Sequence, residues 1–237
     1  MSQASHITLN FKDFCQRINQ SEDDIYAELY EQHRSQFSVQ NQKIAVKKLR
    51  KIFESTFSLA NESGFQAMTL RKLAAHTQMS MGGLYAYIHS KDDIAQLIFS
   101  FLNSYCDSRI KDLLDETQTA TQRLTTLIHI HVYFSELMHP WFYFAYMETK
   151  NLPKEYRHMA IQSELNMEHK IAEVIELGVN NSEFKCDNIL LTASMIKALL
   201  QDWYLKRWKH TKREVNVDQY ARQVEQISLC HLTHLNG

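Results

Sequence analysis

Apolar side chains recur every three to four positions along most of this chain, the spacing of helix faces that turn toward a core. From Lys43 the pattern is regular. Leu49, Ile52, Phe53, Thr56, Leu59 and Ala60 fall on one face, and Gly64 ends the run, so a helix is predicted up to a left-handed glycine stop closed by Phe65. Thr69 is placed to cap a short helix carrying Leu70, Leu73 and Ala74, and Ser80 to cap a second over Met81–Ile88. Ser90 with Asp93 forms a capping box for the next helix. Two short helices joined by a brief turn, set between longer ones, is the order of a helix-turn-helix unit.

The remaining periodic stretches predict helices over 91–114, 119–139, 141–150, 154–178, 188–209 and 217–235, with breaks at Pro140, Leu152-Pro153, Gly178 to Asn181 and Thr211 to Asn216. The first 40 residues predict two short amphipathic helices, one carrying Phe11, Phe14 and Ile18, the other capped by Ser21 and carrying Ile25, Leu29 and Tyr30. Their apolar faces call for a partner surface on the body of the protein. No repeat or low-complexity tract interrupts the 237 residues.

Composition narrows the fold class. Five glycines and two prolines are too few for the turns an all-β protein requires, so the chain reads as all-α. Scarce glycine also leaves no phosphate-cradling loop of the G-x-G-x-x-G or G-x-x-x-x-G-K-[ST] kind. Charge is uneven beneath the formal net of −1. Residues 1–40 hold three basic and six acidic side chains, whereas residues 41–91 hold eight basic and two acidic. That short stretch is the candidate polyanion-binding surface.

Cys15, Cys106, Cys186 and Cys230 lie 91, 80 and 44 residues apart, with no C-x-x-C pair, and read as reduced thiols. His129 and His131 stand two apart on different helix faces, and no H-E-x-x-H occurs, so neither a metal nor a cofactor is expected. No nucleophile motif of the G-x-S-x-G kind is present, and no catalytic residue is assigned. Without a secretory signal or an unbroken apolar span, the expectation is a soluble cytoplasmic protein with no membrane partner.

The stretch Thr69 to Lys91 carries the clearest chemistry. Leu73, Ala74, Met79, Leu84 and Ile88 can fix the angle between two short helices, leaving the N-terminal end of the second free to enter a major groove. Gly82 and Gly83 are poor helix residues, each up to ~1 kcal/mol less favourable than Ala, and suit a helix that must approach another surface closely. Arg71, Lys91, Tyr85 and Tyr87 supply charge and hydroxyls suited to phosphate oxygens.

Here the sequence resembles the TetR-type family of bacterial transcriptional regulators, in Gly64-Phe65, in Thr69-Leu-Arg-Lys-Leu-Ala and in Ser80-Met-Gly-Gly-Leu-Tyr-Ala-Tyr-Ile-His-Ser-Lys91. A looser signature is Glu148-Thr-Lys-Asn-Leu-Pro-Lys-Glu-Tyr-Arg157 followed by Gly178. The resemblance implies that Thr69, Arg71, Tyr85, Tyr87 and Lys91 grip the DNA backbone. It places Ser80, Met81, Gly82 and Gly83 against bases, with Met81 suited to a thymine methyl. Ile88 stands where the family more often has phenylalanine, and roughly 40 residues precede the usual start.

The implied architecture is an N-terminal extension (1–40), a three-helix helix-turn-helix DNA-binding domain (41–95) and a C-terminal helical bundle for ligand binding and dimerisation (96–237). The stripes Ile189, Ala193, Ile196, Leu200, Trp203 and Val217, Tyr220, Val224, Ile227 are candidates for a homodimer interface. Phe101, Tyr105, Phe134, Phe142, Tyr146 and Trp203 are candidates to line an apolar effector site, with His131 and Glu148 as polar handles. Asp202-Trp-Tyr-Leu-Lys-Arg-Trp208 is similar to members that sense fatty acyl thioesters or other lipid-like compounds. The expected function is a dimeric repressor on a palindromic double-stranded operator, released by a small apolar effector. The alternative is a helical carrier that keeps the motif without using it.

Overall fold

The computed structural model describes residues 10–18, 22–114 and 117–233. The Ser21 cap, residues 1–9 and the predicted helix end at 234–235 lie outside the described residues. Among those described, every regular element is helical: α1 (Phe11–Ile18), α2 (Glu22–Gln32), α3 (Gln42–Ser63), α4 (Leu70–His76), α5 (Met81–Tyr85), α6 (Lys91–Leu113), α7 (Ala120–Leu137), α8 (His139–Glu148), α9 (Lys154–Asn180), α10 (Ile189–Leu205), α11 (Arg207–Lys212) and α12 (Val217–Thr233). The all-α fold expected from scarce glycine and 3.6-residue periodicity is what forms.

The chain divides into two compact units. One comprises residues 20–106 and 140–163 and contains α2 to α5 with most of α6; the other comprises 1–19, 107–139 and 164–237 and contains α1, α7, α10, α11 and α12.

In the first unit, Ala45, Leu49, Ile52 and Phe53 of α3 are buried with Leu73 and Ala74 of α4, Leu84 of α5 and Ile94, Ala95 and Ile98 of α6. Each fully buried Leu, Ile or Phe stabilises by roughly 1.5–3 kcal/mol. Local signals close the elements. Asn41 accepts from the Ile44 amide at 3.2 Å, Thr69 from Lys72 at 3.1 Å and Ser80 from Gly83 at 3.1 Å. Ser90 and Asp93 exchange backbone-to-side-chain bonds at 3.1 and 3.2 Å, completing the predicted box. Hydrogen bonds from Ser90 and the His89 amide outweigh the opposing effect of burial and hold the Asp93 carboxyl below its usual range.

Two details depart from expectation. Gly64 has φ 81° but ψ 145°, so it does not take the left-handed helical conformation; the chain leaves α3 extended and Phe65 begins a 3-10 turn. The recognition-like helix α5 spans five residues rather than eight. Two successive glycines weaken it, and a turn closed by the amides of Tyr87 and Ile88 on the Leu84 carbonyl follows.

In the second unit α7 is the axis. It packs on α12, α10 and α1, and Leu127 through Ser135 are all buried, as a helix surrounded by protein must be. Its N-terminus is held by a Thr119/Gln122 capping box and by the Glu183 carboxylate, which accepts the Ala120 and Thr121 amides at 3.0 Å. The helix expected over 188–209 is broken at Lys206. There the Asp202 carboxylate draws in Lys206, Lys209 and His210 at 2.9, 2.7 and 3.0 Å. Gly178 lies inside α9 rather than at its end, and Phe184 folds back onto it.

Most of the stripe residues expected to pair two copies face inward: Ala193, Ile196, Leu200, Trp203, Val217 and Val224 are buried in the unit's own core, while Ile189 and Tyr220 are half-buried and Ile227 is exposed. The apolar face left open on α10 is Leu190, Leu191 and Met195, 63%, 56% and 63% exposed. Residues 189 to 191 are apolar in succession, so periodicity alone could not say which side turned in.

Candidate functional site

The helix-turn-helix is built around a turn that contains no glycine. Gln78 adopts φ 54°, while the Met79 amide reaches the Ala74 carbonyl at 2.9 Å and the Gln78 amide reaches Ala75 at 3.1 Å. This paired pattern is a Schellman stop with a non-glycine residue at its left-handed position. Thr77, fully buried, ties the same turn by donating to the carbonyls of Leu73 and Ala74 at 2.8 and 3.0 Å. Leu84 and Ile88 are completely buried on the inner side of α5 and the turn after it. The rotation of α5 is thereby set, and its other side faces outward.

That outward side carries most of the predicted DNA residues. Thr69, Arg71, Ser80, Gly82 and Tyr85 are exposed, and Met81 and Gly83 are half-buried. A Cβ built on Gly82 would meet nothing within 4 Å. One on Gly83 would lie 3.2 Å from the Ser80 hydroxyl, the cap of the same helix. Gly82 is therefore not required by the packing of this protein, whereas a side chain at Gly83 would press on the cap. The Tyr85 ring stacks beside His89 at 6.4 Å, and the residue is 43% exposed. Lys43, Lys47 and Lys48 add an exposed basic edge on α3. Arg50 does not, because Asp23 and Glu54 hold its guanidinium at 2.9 and 2.7 Å.

Tyr87 and Lys91, expected on the DNA backbone, are engaged inside the unit. Tyr87 is 5% exposed, its ring 6.1 Å from that of Phe37, and burial pushes its phenol up. The Lys91 ammonium lies 5.4 Å above the Phe65 ring and donates to the carbonyls of Phe65 and Gln66 at 3.2 and 2.9 Å. It therefore ties the turn after α3 to the start of α6.

The candidate effector residues divide between the units. Phe101, Tyr105, Phe142, Tyr146 and Glu148 are in the first; His131, Phe134 and Trp203 are in the second. Phe101 and Tyr105 are fully buried with ring centroids 5.3 Å apart. Phe101 also joins a cluster around Trp141, which stacks on Phe53 at 5.0 Å and meets Phe57 at 5.3 Å. Phe142 is half-buried and Tyr146 is exposed, while Glu148 is buried and accepts from Asn151 at 3.3 Å. Much of the aromatic surplus in the sequence is thus core.

In the second unit Phe134 is covered by Phe14, edge-on at 4.9 Å. Trp203 is locked between His210 and Tyr220, beneath Arg207, and its indole donates to Glu136 at 3.0 Å. His131 is buried, and desolvation first, then the Lys197 charge, hold its imidazole well below its usual range. Lys197 went unnoticed in sequence reasoning because a lysine in an apolar helix reads as a solvated edge. Here it is 4% exposed at its side chain and bonded to Glu164 at 3.0 Å. Among the described residues, no group of three or more His, Cys, Asp or Glu side chains is placed to hold a metal, and no helix is long and apolar enough to cross a membrane.

Comparison with known proteins matches this geometry. The family model described as bacterial regulatory proteins, tetR family, aligns with residues 52–98, and the tetracyclin repressor-like C-terminal domain aligns with residues 117–230. The chain is 23% identical over 186 residues to the HTH-type transcriptional repressor KstR2 of Mycobacterium tuberculosis, covering 77% of this chain and 91% of that protein. It is 21% identical over 175 residues to the HTH-type transcriptional regulator HbdR of Aromatoleum, covering 74% and 76%. Among solved structures, a tetR-family regulator from Rhodococcus RHA1 superposes with TM-score 0.71 at 18% identity, over 80% of this chain and 99% of that one. FadR of Bacillus subtilis in complex with stearoyl-CoA superposes with TM-score 0.59 at 16% identity, over 77% and 98%. The capped helix-turn-helix, the helical bundle and both family matches lead to one conclusion: this chain belongs to the TetR family of bacterial transcriptional regulators, a family of regulators and not of enzymes.

Proposed function

We propose that the protein is a homodimeric repressor that binds a palindromic operator through α5 and is released by a small apolar effector of fatty acyl or other lipid-like character. The observation that carries the DNA reading is the outward face of α5. Two adjacent glycines sit there at a helix-propensity cost, and at Gly82 nothing inside the protein needs the missing side chain. A helix stripped of side chains where no neighbour crowds it is suited to close approach by an external surface.

In this reading Met81 touches a base while Ser80, Gly82 and Gly83 admit the groove floor, and Thr69, Arg71 and Tyr85 meet phosphates. Tyr87 and Lys91 contribute by holding α5 and the start of α6 in place. One five-residue helix presents little surface, so two copies reading half-sites about 34 Å apart supply the affinity. The open apolar face of Leu190, Leu191 and Met195, with Trp208 at 69% and Ile227 at 47% exposure, supports self-association.

KstR2 is named a repressor, and FadR is named in complex with stearoyl-CoA. The first name supports repression, and the second supports an acyl effector acting on the bundle, where buried His131 is a candidate orienting group. Effector and operator then weaken each other by the same factor.

The test is fluorescence anisotropy on operator selected from random duplexes, with native mass spectrometry for subunit state and stearoyl-CoA as the probe. A dimer binding a palindrome, with affinity lowered by stearoyl-CoA, is the expected result. A strict monomer with no DNA affinity at low salt would overturn the reading and favour a carrier.

A further inference from the structure

The N-terminal extension is additional to the family architecture: the matched family regions begin at residue 52, and 80% of this chain suffices to cover 99% of the Rhodococcus structure. It is nonetheless built into both units. α1 belongs to the bundle unit. Phe14 is fully buried against Phe134 and lies 5.5 Å from Tyr133, and Phe11 lies 5.6 Å from the same tyrosine. The Phe11 amide, an orphan donor at a helix start, donates to Asp218 at 2.8 Å, the oxygen that also accepts the Tyr133 hydroxyl at 2.7 Å.

α2 and the return segment belong to the helix-turn-helix unit. Ile25, Tyr26, Leu29 and Tyr30 are buried, and Tyr26 lies 6.3 Å from Phe53. The Tyr30 hydroxyl donates to the carbonyls of Val39 and Gln40 at 2.8 and 3.2 Å, folding the return segment back on α2. Phe37 then stacks flat on Tyr30 at 5.9 Å and meets Tyr87 at 6.1 Å. The Ser38 amide donates at 3.0 Å to the carbonyl of Ala86, the C-cap of α5. The last carbonyls of a helix have no partner within it. Here the extension supplies one, at the end of the helix that the DNA reading places in the groove.

We propose that α2 and the return segment form a strap behind the recognition helix: Tyr30 folds the segment back, and Phe37 and Ser38 hold the C-terminal end of α5 in position. Phe37, Ser38 and Tyr30 are positioning residues and not contacts to DNA. The inference rests on the DNA-binding reading for its consequence, not for its structural content.

The test uses the full chain with Phe37→Ala, Tyr30→Phe and Phe14→Ala, each checked for native unfolding. Amide hydrogen exchange on the free protein reads the opening of each segment separately from the rest. Phe37→Ala is expected to speed exchange across 84–88 about tenfold and to weaken operator binding about tenfold; Tyr30→Phe, which keeps the ring and loses only the hydroxyl, should act in the same direction by less. Phe14→Ala, whose ring packs on Phe134 in the other unit, is the control and is expected to speed exchange at 10–18 with 84–88 unchanged. Unchanged exchange at 84–88 in Phe37→Ala and Tyr30→Phe overturns the positioning role. If 84–88 loosens as expected but the wild-type chain binds no duplex, the DNA reading fails and the strap stands.

Discussion

Gly82 and Gly178 are both helical glycines, and their surroundings separate their roles. A Cβ at Gly178 would sit 2.0 Å from a ring carbon of Phe184, itself 3% exposed, so the missing methyl makes room for the core. Gly178→Ala is expected to lose about 1–3 kcal/mol through overpacking, read as a lower urea midpoint at unchanged slope. At Gly82 the space is open, and Ala should raise stability by up to ~1 kcal/mol through helix propensity. If α5 enters a groove, the same change lowers operator affinity. Opposite signs in the two measurements would mark Gly82 as selected for binding; a stabilised protein with unaltered affinity would remove α5 from the interface. Glycine scarcity was plain in the sequence, but which glycine served packing and which served a surface depended on Phe184 folding back from a residue six positions away.

At the level of elements, capping made much of the helix-turn-helix legible. Thr69, Ser80 and the Ser90/Asp93 box all cap as their sequence positions suggest, because a cap is a local exchange of hydrogen bonds among residues three apart. The turn between α4 and α5 was not legible in the same detail, since Gln78 carries no glycine signal. It is held left-handed by the Schellman bonds and by buried Thr77. A β-branched side chain tolerates that conformation poorly, so Gln78→Val should destabilise the protein by more than about 1 kcal/mol and cut DNA affinity, measurable by thermal melting and anisotropy. The break at Lys206 was hidden for a related reason. Asp202, ahead of it, gathers Lys206 at the break and Lys209 and His210 beyond it, and burial is outweighed by these donors, which hold its carboxyl far below the ordinary range.

Two pH regimes follow for the whole molecule. Burial lowers His131, His33 and His210, in the last case against the pull of Asp202. A histidine whose folded pKa lies below its unfolded value takes up protons more readily when unfolded, so stability falls as pH drops below about 6.5. Asp202, Asp93, Glu183 and Glu225 are held below the usual carboxylate range, and their contribution is present above about 4 and is lost as pH falls through their folded values. The melting temperature should therefore be flat near pH 7–8, decline below about 6.5 and fall further below about 4. His131→Gln should remove part of the first decline. On DNA, Arg71→Ala should weaken all duplexes alike and reduce the salt slope by about 0.9 for each phosphate that the arginine neutralises, whereas Met81→Ala should change sequence preference.

By itself the sequence determined the all-α class, the positions of the main helices, the capped helix-turn-helix and its family, because periodicity, caps and glycine content act over a few residues. The tertiary structure decided which face of each apolar helix turned inward. It placed Ala193, Ile196 and Leu200 in the core and left Leu190, Leu191 and Met195 outside, and it packed Phe101 and Trp141 into an aromatic core. It also brought Phe14 to Phe134 in one unit and Ser38 to Ala86 in the other. Those outcomes depend on partners between 40 and 120 positions apart in the chain. No local pattern records them, because burial is a property of the surface an element meets and not of the element alone.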